Sequence, residues 1–91
     1  MFYVYLLRST KDGTLYIGYT KDLRQRLEQH RKGRAQTTKK HLPVELVYYE
    51  AYKSQKDAVS REQGLKHYGK ALAQLKRRIR ESLTTVAKVR G

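Results

Sequence analysis

Cysteine is absent from this 91-residue chain, which excludes a disulfide framework and any thiolate-ligated zinc site and fits a reducing cytoplasm. Tryptophan is absent and phenylalanine occurs once. No helix can therefore pair a basic face with a Trp- or Phe-rich one, and an amphipathic membrane helix is a poor reading. No apolar run approaches the ~18 residues of a membrane span. The N-terminal MFYVYLLRS has no basic leader and no small-residue cleavage site, and Arg8 ends it. It reads as a strand rather than a signal peptide. The most telling scarcity is of negative charge: 8 acidic residues face 21 basic ones, for a net charge of +13. Self-repulsion of that size is uncompensated within the chain, so a polyanionic partner is expected, and nucleic acid is the commonest.

What is present suffices for one core and no more. Phe2 to Leu7 is aromatic and β-branched, a strand pattern. Lys11-Asp12-Gly13 carries the Asp-Gly hairpin signal. Thr14 to Gly18 is the return strand, stopped by Gly18, where backbone can approach closely. Thr20 or Asp22 caps a helix whose one face holds Leu23, Arg26, Leu27 and His30, and Gly33 stands where a helix C-terminal glycine belongs. Arg34 to His41 (RAQTTKKH) is a basic loop. Pro43 introduces a third extended segment, VELVYYEAY, with Glu45 and Glu50 facing out or near its edges. Ser54 starts a second helix, with Asp57 completing a capping-box variant. Gly64 and His67-Tyr68-Gly69 interrupt it. A third helix places Leu72, Leu75, Ile79 and Leu83 on one side and Lys76, Arg77, Arg78 and Arg80 mostly on the other. The expected order is β-β-α-β-α-α, an α+β domain with a small three-stranded, mainly antiparallel sheet flanked by helices. Residues 1–83 form the domain and 84–91 a frayed tail.

Three ionisable side chains fall on the inward sides of helices: Arg26, His30 and Glu62. An unpaired buried charge is costly. One bland explanation is an Arg26–Glu62 salt bridge, and another is that these groups reach water along a polar margin. The chemical explanation sets them beside a phosphodiester. Hydrolysis needs an activated water, neutralisation of the transition-state charge and help for the leaving oxygen. Arg26 can clamp a phosphate oxygen. A tyrosine or His30 can take a proton. Glu62 can hold a hard cation such as Mg²⁺, which accepts one carboxylate and several waters.

The order Tyr3-Val4-Tyr5, then Tyr16-Ile17-Gly18, then Arg26 and His30 on the next helix, then Glu62, resembles the GIY-YIG nuclease family. The segments VYLLRS, DGTLYIGYTKDLRQRLEQH, PVELVYYEAY and SREQGLK are similar to its small single-domain bacterial members, a group related to the nuclease domain of the ABC excinuclease. The resemblance runs from residue 2 to about residue 70. It implies a metal-dependent DNA endonuclease working in repair or recombination, with Tyr5 and Tyr16 side by side on adjacent strands, one of them the general base. Tyr16 is the favoured base. It further implies Arg26 as the phosphate-stabilising arginine, His30 as proton shuttle or second base, and Glu62 as ligand for Mg²⁺, or Mn²⁺. The pattern departs from the family at Tyr3, where the motif name has glycine, at Tyr19, where some members have lysine, and in the total lack of asparagine, which many members carry beyond the glutamate.

Free tyrosine has a pKa near ~10, so a tyrosine base needs positive surroundings and implies activity rising above neutral pH. Contacts to nucleic acid are expected from Tyr19, Arg34, Thr37, Lys39, Lys40, His41, Lys66 and Arg77. His41 has the alternative of a plain loop residue, and Thr37 and Thr38 of loop caps. The three histidines give no zinc spacing. DNA is the expected partner and RNA a further one, with a protein partner for targeting and a cytoplasmic setting. The alternative function is a non-catalytic basic nucleic-acid-binding module that keeps the fold.

Overall fold

Strand β1 (Phe2–Ser9) turns back into β2 (Leu15–Thr20) around Ser9. The Ser9 hydroxyl accepts from the backbone N–H groups of Lys11 and Asp12, and Gly13 takes the left-handed φ of +76° that closes the turn. Helix α1 (Leu23–Arg31) follows; Asp22 caps it by accepting from the Gln25 N–H at 3.1 Å. A loop with one 3₁₀ turn (Lys39–His41) leads to β3 (Val44–Tyr52), then α2 (Gln55–His67), α3 (Gly69–Arg78) and α4 (Arg80–Thr84). The computed structural model describes residues 1–84. The frayed tail expected over 84–91 lies, beyond Thr84, outside the described residues.

The sheet is ordered β2-β1-β3, with both pairings antiparallel. β1 is central, which is why its Val4–Leu7 stretch is the most buried in the chain. Its side chains alternate. Val4 and Leu6 meet Ala58 and Leu65 of α2, Leu75 of α3, and Ile79. Truncating Leu6 (1% exposed) to alanine falls in the range of about 2–5 kcal/mol. Tyr3, Tyr5 and Leu7 point to the other face, across which α1 lies. A bulge sits where β3 pairs Leu6 with Tyr48 but Leu7 with Leu46, leaving Val47 as the extra residue. The architecture is α+β, a three-stranded antiparallel sheet flanked by helices, as the sequence leads one to expect.

Four local expectations are corrected. Gly18 does not stop its strand; β2 runs on to Thr20 because the ladder to β1 continues through Tyr3–Thr20. Gly64 does not interrupt α2, since the glycine penalty of ~1 kcal/mol is small beside burial of the adjacent Leu65. The break comes at Tyr68, whose extended backbone ends α2 and begins α3. The single third helix is two: Ile79, only 8% exposed, ends α3, and α4 carries Leu83 back onto the core. Glu50 does not face out. It lies on the helix-packed face of the sheet, where Arg61 of α2 grips it with Nε and Nη2 at 3.0–3.2 Å. The Tyr48 and Tyr52 hydroxyls donate to the same carboxylate.

Candidate active site

Tyr5 is central to the polar cluster on the α1 face. Only 3% of it is exposed. Its hydroxyl oxygen accepts from Arg26 Nε at 3.3 Å and lies 3.0 Å from His30 Nε2. Arg26 also donates from Nη1 to Gln29 Oε1 at 2.8 Å, one turn along α1. The other imidazole nitrogen of His30, Nδ1, is 2.6 Å from Thr38 Oγ1, a side chain with no exposed surface. Arginine only donates, so the phenol proton of Tyr5 finds an acceptor in this network if His30 carries its proton on Nδ1 and donates it to Thr38. Burial, and then the positive charge of Arg26, lower the His30 pKa from its ordinary 6.5. The imidazole is thereby kept neutral and able to accept.

The YIG glycine has a steric reason. Gly18 pairs with Tyr5 across the sheet. A Cβ there would sit 2.2 Å from both Cζ and the hydroxyl oxygen of Tyr5. The ring of Tyr5 occupies the place of a side chain at position 18, and this carries its hydroxyl toward β2. Tyr16 is on the same face, diagonal to Tyr5, and its ring lies 5.4 Å from that of His41. Partial burial, and then the Asp12 carboxylate, raise the Tyr16 pKa. His41 in turn pairs with Asp12 at 2.7 Å.

Glu62 comes from the other side of the molecule. It lies on α2, which packs on the opposite face of the sheet, yet it reaches the same cavity around the open edge of β2. That cavity, of about 420 Å³, is lined by Tyr5, Tyr16, Gly18, Arg26, His30 and Glu62. All five residues singled out as catalytic candidates thus border one space. The Arg26–Glu62 salt bridge is not made: Glu62 pairs instead with Lys66, 3.1 Å away and one turn along α2, while Arg26 is held by Tyr5 and Gln29.

Of the side chains expected to meet nucleic acid, Tyr19, Thr37 and Lys66 also border the cavity. Tyr19 additionally stacks on Phe2, with ring centroids 6.5 Å apart. His41 reaches the margin through Tyr16. Arg34, Lys39 and Lys40 are exposed on the loop and do not line it. Arg77 is elsewhere, on α3, beside Arg78 and Arg80. Thr38, which the sequence offers only as a phosphate donor or a loop cap, instead holds the His30 imidazole. It looks like its neighbour Thr37, and only the folded loop turns one inward and the other out.

Among the described residues, Glu62 is the only acid bordering the cavity, and no group of three His, Cys, Asp or Glu able to hold a metal occurs among them. A lone carboxylate with phenolic neighbours and open space suits a hard, hydrated cation of the Mg²⁺ type, which keeps several waters. It does not suit a cation that needs an all-protein cage.

The family model described as the GIY-YIG catalytic domain matches residues 1–76. UPF0213 proteins of Staphylococcus aureus strains Mu3 and Mu50 are each 43% identical over 67 residues, covering 72% of this chain and 80% of theirs. The solution NMR structure of the UPF0213 protein BH0048 from Bacillus halodurans is 34% identical. It superposes with a TM-score of 0.54 over 98% of this chain and 100% of its own. Among the described residues no helix is long and apolar enough to cross a membrane.

Proposed function

Because the chain belongs to the GIY-YIG family, we propose that the cavity at the β2 edge hydrolyses phosphodiester bonds of DNA, making the protein a metal-dependent endonuclease. The observation that carries this reading is the Tyr5 hydroxyl held between Arg26 and His30, in a cavity that also receives Glu62. Residues 1–83 are the working domain, its proposed setting is the cytoplasm, and repair or recombination is the proposed use.

Tyr5, rather than Tyr16, is the better base on this geometry. Its hydroxyl has a hydrogen-bond acceptor in His30 Nε2, and once the proton is lost to solvent the phenolate keeps the Arg26 N–H. Tyr16 has no such pair of partners among the described residues, and partial burial, and then Asp12, raise its pKa above the ordinary value. Tyr5 then takes a proton from the attacking water as oxygen bonds to phosphorus. The bond from phosphorus to the leaving sugar oxygen breaks, and that oxygen takes up a proton from solvent water in the open cavity. Arg26 has its Nη2 to offer a non-bridging phosphate oxygen. Tyr16 borders the same space and is assigned to orienting the substrate. Glu62 would hold the Mg²⁺ or Mn²⁺ ion, which supplies Lewis-acid stabilisation of the phosphate charge. Lys66 releases the carboxylate for that task and is then able to meet a phosphate.

The second reading, a nucleic-acid-binding module without turnover, draws on the same pair: Lys66 occupies the Glu62 carboxylate of the cavity. Nicking of supercoiled plasmid in Mg²⁺ or Mn²⁺ separates the two. The nuclease reading expects nicking by the wild type, none with EDTA, and none by Glu62→Gln, which still binds DNA. Unchanged cutting by Glu62→Gln would remove Glu62 from its assigned role. Binding without any nicking would establish the module.

A further inference from the structure

A second recess, of about 480 Å³, lies on the other flank of α1. The cavity just described opens on the β2 side of that helix. The second recess opens on the β3 side, between one side of α1, from Leu23 to Arg31, and Tyr3 and Tyr49 of the sheet. Its floor is aromatic. Tyr3 and Tyr49 meet edge to face with centroids 6.0 Å apart. Tyr49 is 52% exposed, in the middle of a strand, with ring surface left uncovered. Leu23 and Leu27 form an apolar wall, and Lys21, Arg24 and Arg31 stand around the rim. Lys21 and Arg24 make no ion pair among the described residues; Arg31 is shared with Glu28 at 3.1 Å. One acid, Asp22, also lines the recess, but its carboxylate is engaged as the cap of α1.

We propose that this recess binds an unpaired nucleotide of the nucleic acid, the base stacked on Tyr49 and its phosphates met by Lys21 and Arg24. Every base has a π-face, so such a platform accepts any sequence, and the cations track the backbone. A paired base keeps its faces within the duplex stack and cannot lie on Tyr49. The same site therefore distinguishes single-stranded from double-stranded nucleic acid. The recess and the β2-edge cavity share two elements. Tyr3 and Tyr5 are alternate residues of β1 on one face, roughly 7 Å apart, and Arg24 and Arg26 flank the same turn of α1. One strand passing the N-terminus of α1 can engage both. The inference rests on the reading of the chain as a DNA enzyme, and it adds a preference: substrates with an unpaired segment beside the scissile bond.

The test is fluorescence anisotropy in EDTA with a labelled oligothymidylate and a labelled duplex of equal length, so that cleavage plays no part. Tyr49→Ala is expected to weaken oligothymidylate binding roughly 5- to 100-fold and to leave the duplex within about twofold, with a cooperative melting transition showing that the variant is folded. Tyr49→Phe, which keeps the ring, should restore binding. Lys21→Ala with Arg24→Ala should lower the salt dependence by roughly 0.7 per lost phosphate contact. Equal affinity of Tyr49→Ala and wild type for the oligothymidylate overturns the proposal, even where plasmid nicking is intact. So does a Tyr49→Phe variant as weak as the alanine. A recess effect in a protein that nicks no plasmid upholds the recess and overturns the reading of the cavity instead.

Discussion

The Tyr5 hydroxyl and His30 Nε2 lie 3.0 Å apart in the interior, 25 residues apart in the chain, and the rest of the site is arranged around that bond. Thr38 fixes the far side of the imidazole. If it does so by accepting the Nδ1 proton, Thr38→Val leaves a buried donor unsatisfied, an effect of about 1–3 kcal/mol. Thr38→Ser should recover most of it. Urea denaturation of the three proteins, set beside their nicking rates, checks this: serine is expected to rescue both and valine to impair both.

The neutral state of His30 predicts a pH dependence of stability. Its folded pKa is lowered below the ordinary 6.5 by burial and Arg26. Between the two values the unfolded chain binds the extra proton, so stability falls as pH drops below about 6.5 and levels off below the folded pKa. The loss should be present in the wild type and absent in His30→Gln. Melting temperatures of both proteins between pH 8 and 5 measure the difference, in which His41 and His67 cancel. Parallel curves would contradict a neutral buried His30.

Gly18→Ala asks for a methyl group where the Tyr5 ring lies. The ring can yield only by leaving Arg26 and His30. Overpacking of this kind destabilises by about 1–3 kcal/mol, and activity should fall as far as it does when the Tyr5 hydroxyl is removed. A Gly18→Ala protein with full nicking activity would show that the ring position does not matter.

Arg61 stands next to Glu62 on α2 and ties that helix to β3 through Glu50. Burial pushes the Glu50 carboxyl up, but hydrogen bonds from Arg61, Tyr48 and Tyr52 outweigh it and hold the pKa below 4.5. Its contribution is therefore present above pH 4.5 and lost as pH falls through the lower, folded value. Burial, and then Glu50, push both tyrosines up to about 12. Glu50→Gln is expected to destabilise by about 2 kcal/mol, less than for a fully buried pair because Arg61 is partly exposed. Acid denaturation should then begin at a pH that depends on Glu50, as a comparison of the two proteins by circular dichroism would show.

Much of this is legible in the sequence, for identifiable reasons. β1 and β3 announce themselves by aromatic and β-branched content, and Asp22, Gly13 and Gly33 by turn and cap chemistry. Arg26 and His30 are conspicuous because charge on an otherwise apolar helix face needs an explanation. The break at Ile79 and the inward Glu50 are not legible. Both depend on which face of the sheet receives a helix, and the β3 bulge at Val47 alters the alternation there. The inward role of Thr38 is not legible for a related reason: a loop has no periodicity to say which of two threonines turns inward. The choice between Tyr5 and Tyr16 as base likewise needs the folded contacts, since both are strand tyrosines beside glycine-containing or apolar neighbours.

The most direct measurement is nicking of supercoiled plasmid in Mg²⁺ by wild type, Tyr5→Phe and Tyr16→Phe, with DNA binding followed in parallel. Removing the Tyr5 hydroxyl should lower the rate by roughly 10²–10⁴-fold, the usual share of a general base, with binding retained and a smaller loss for Tyr16→Phe. A Tyr5→Phe protein that nicks as fast as the wild type would contradict the account.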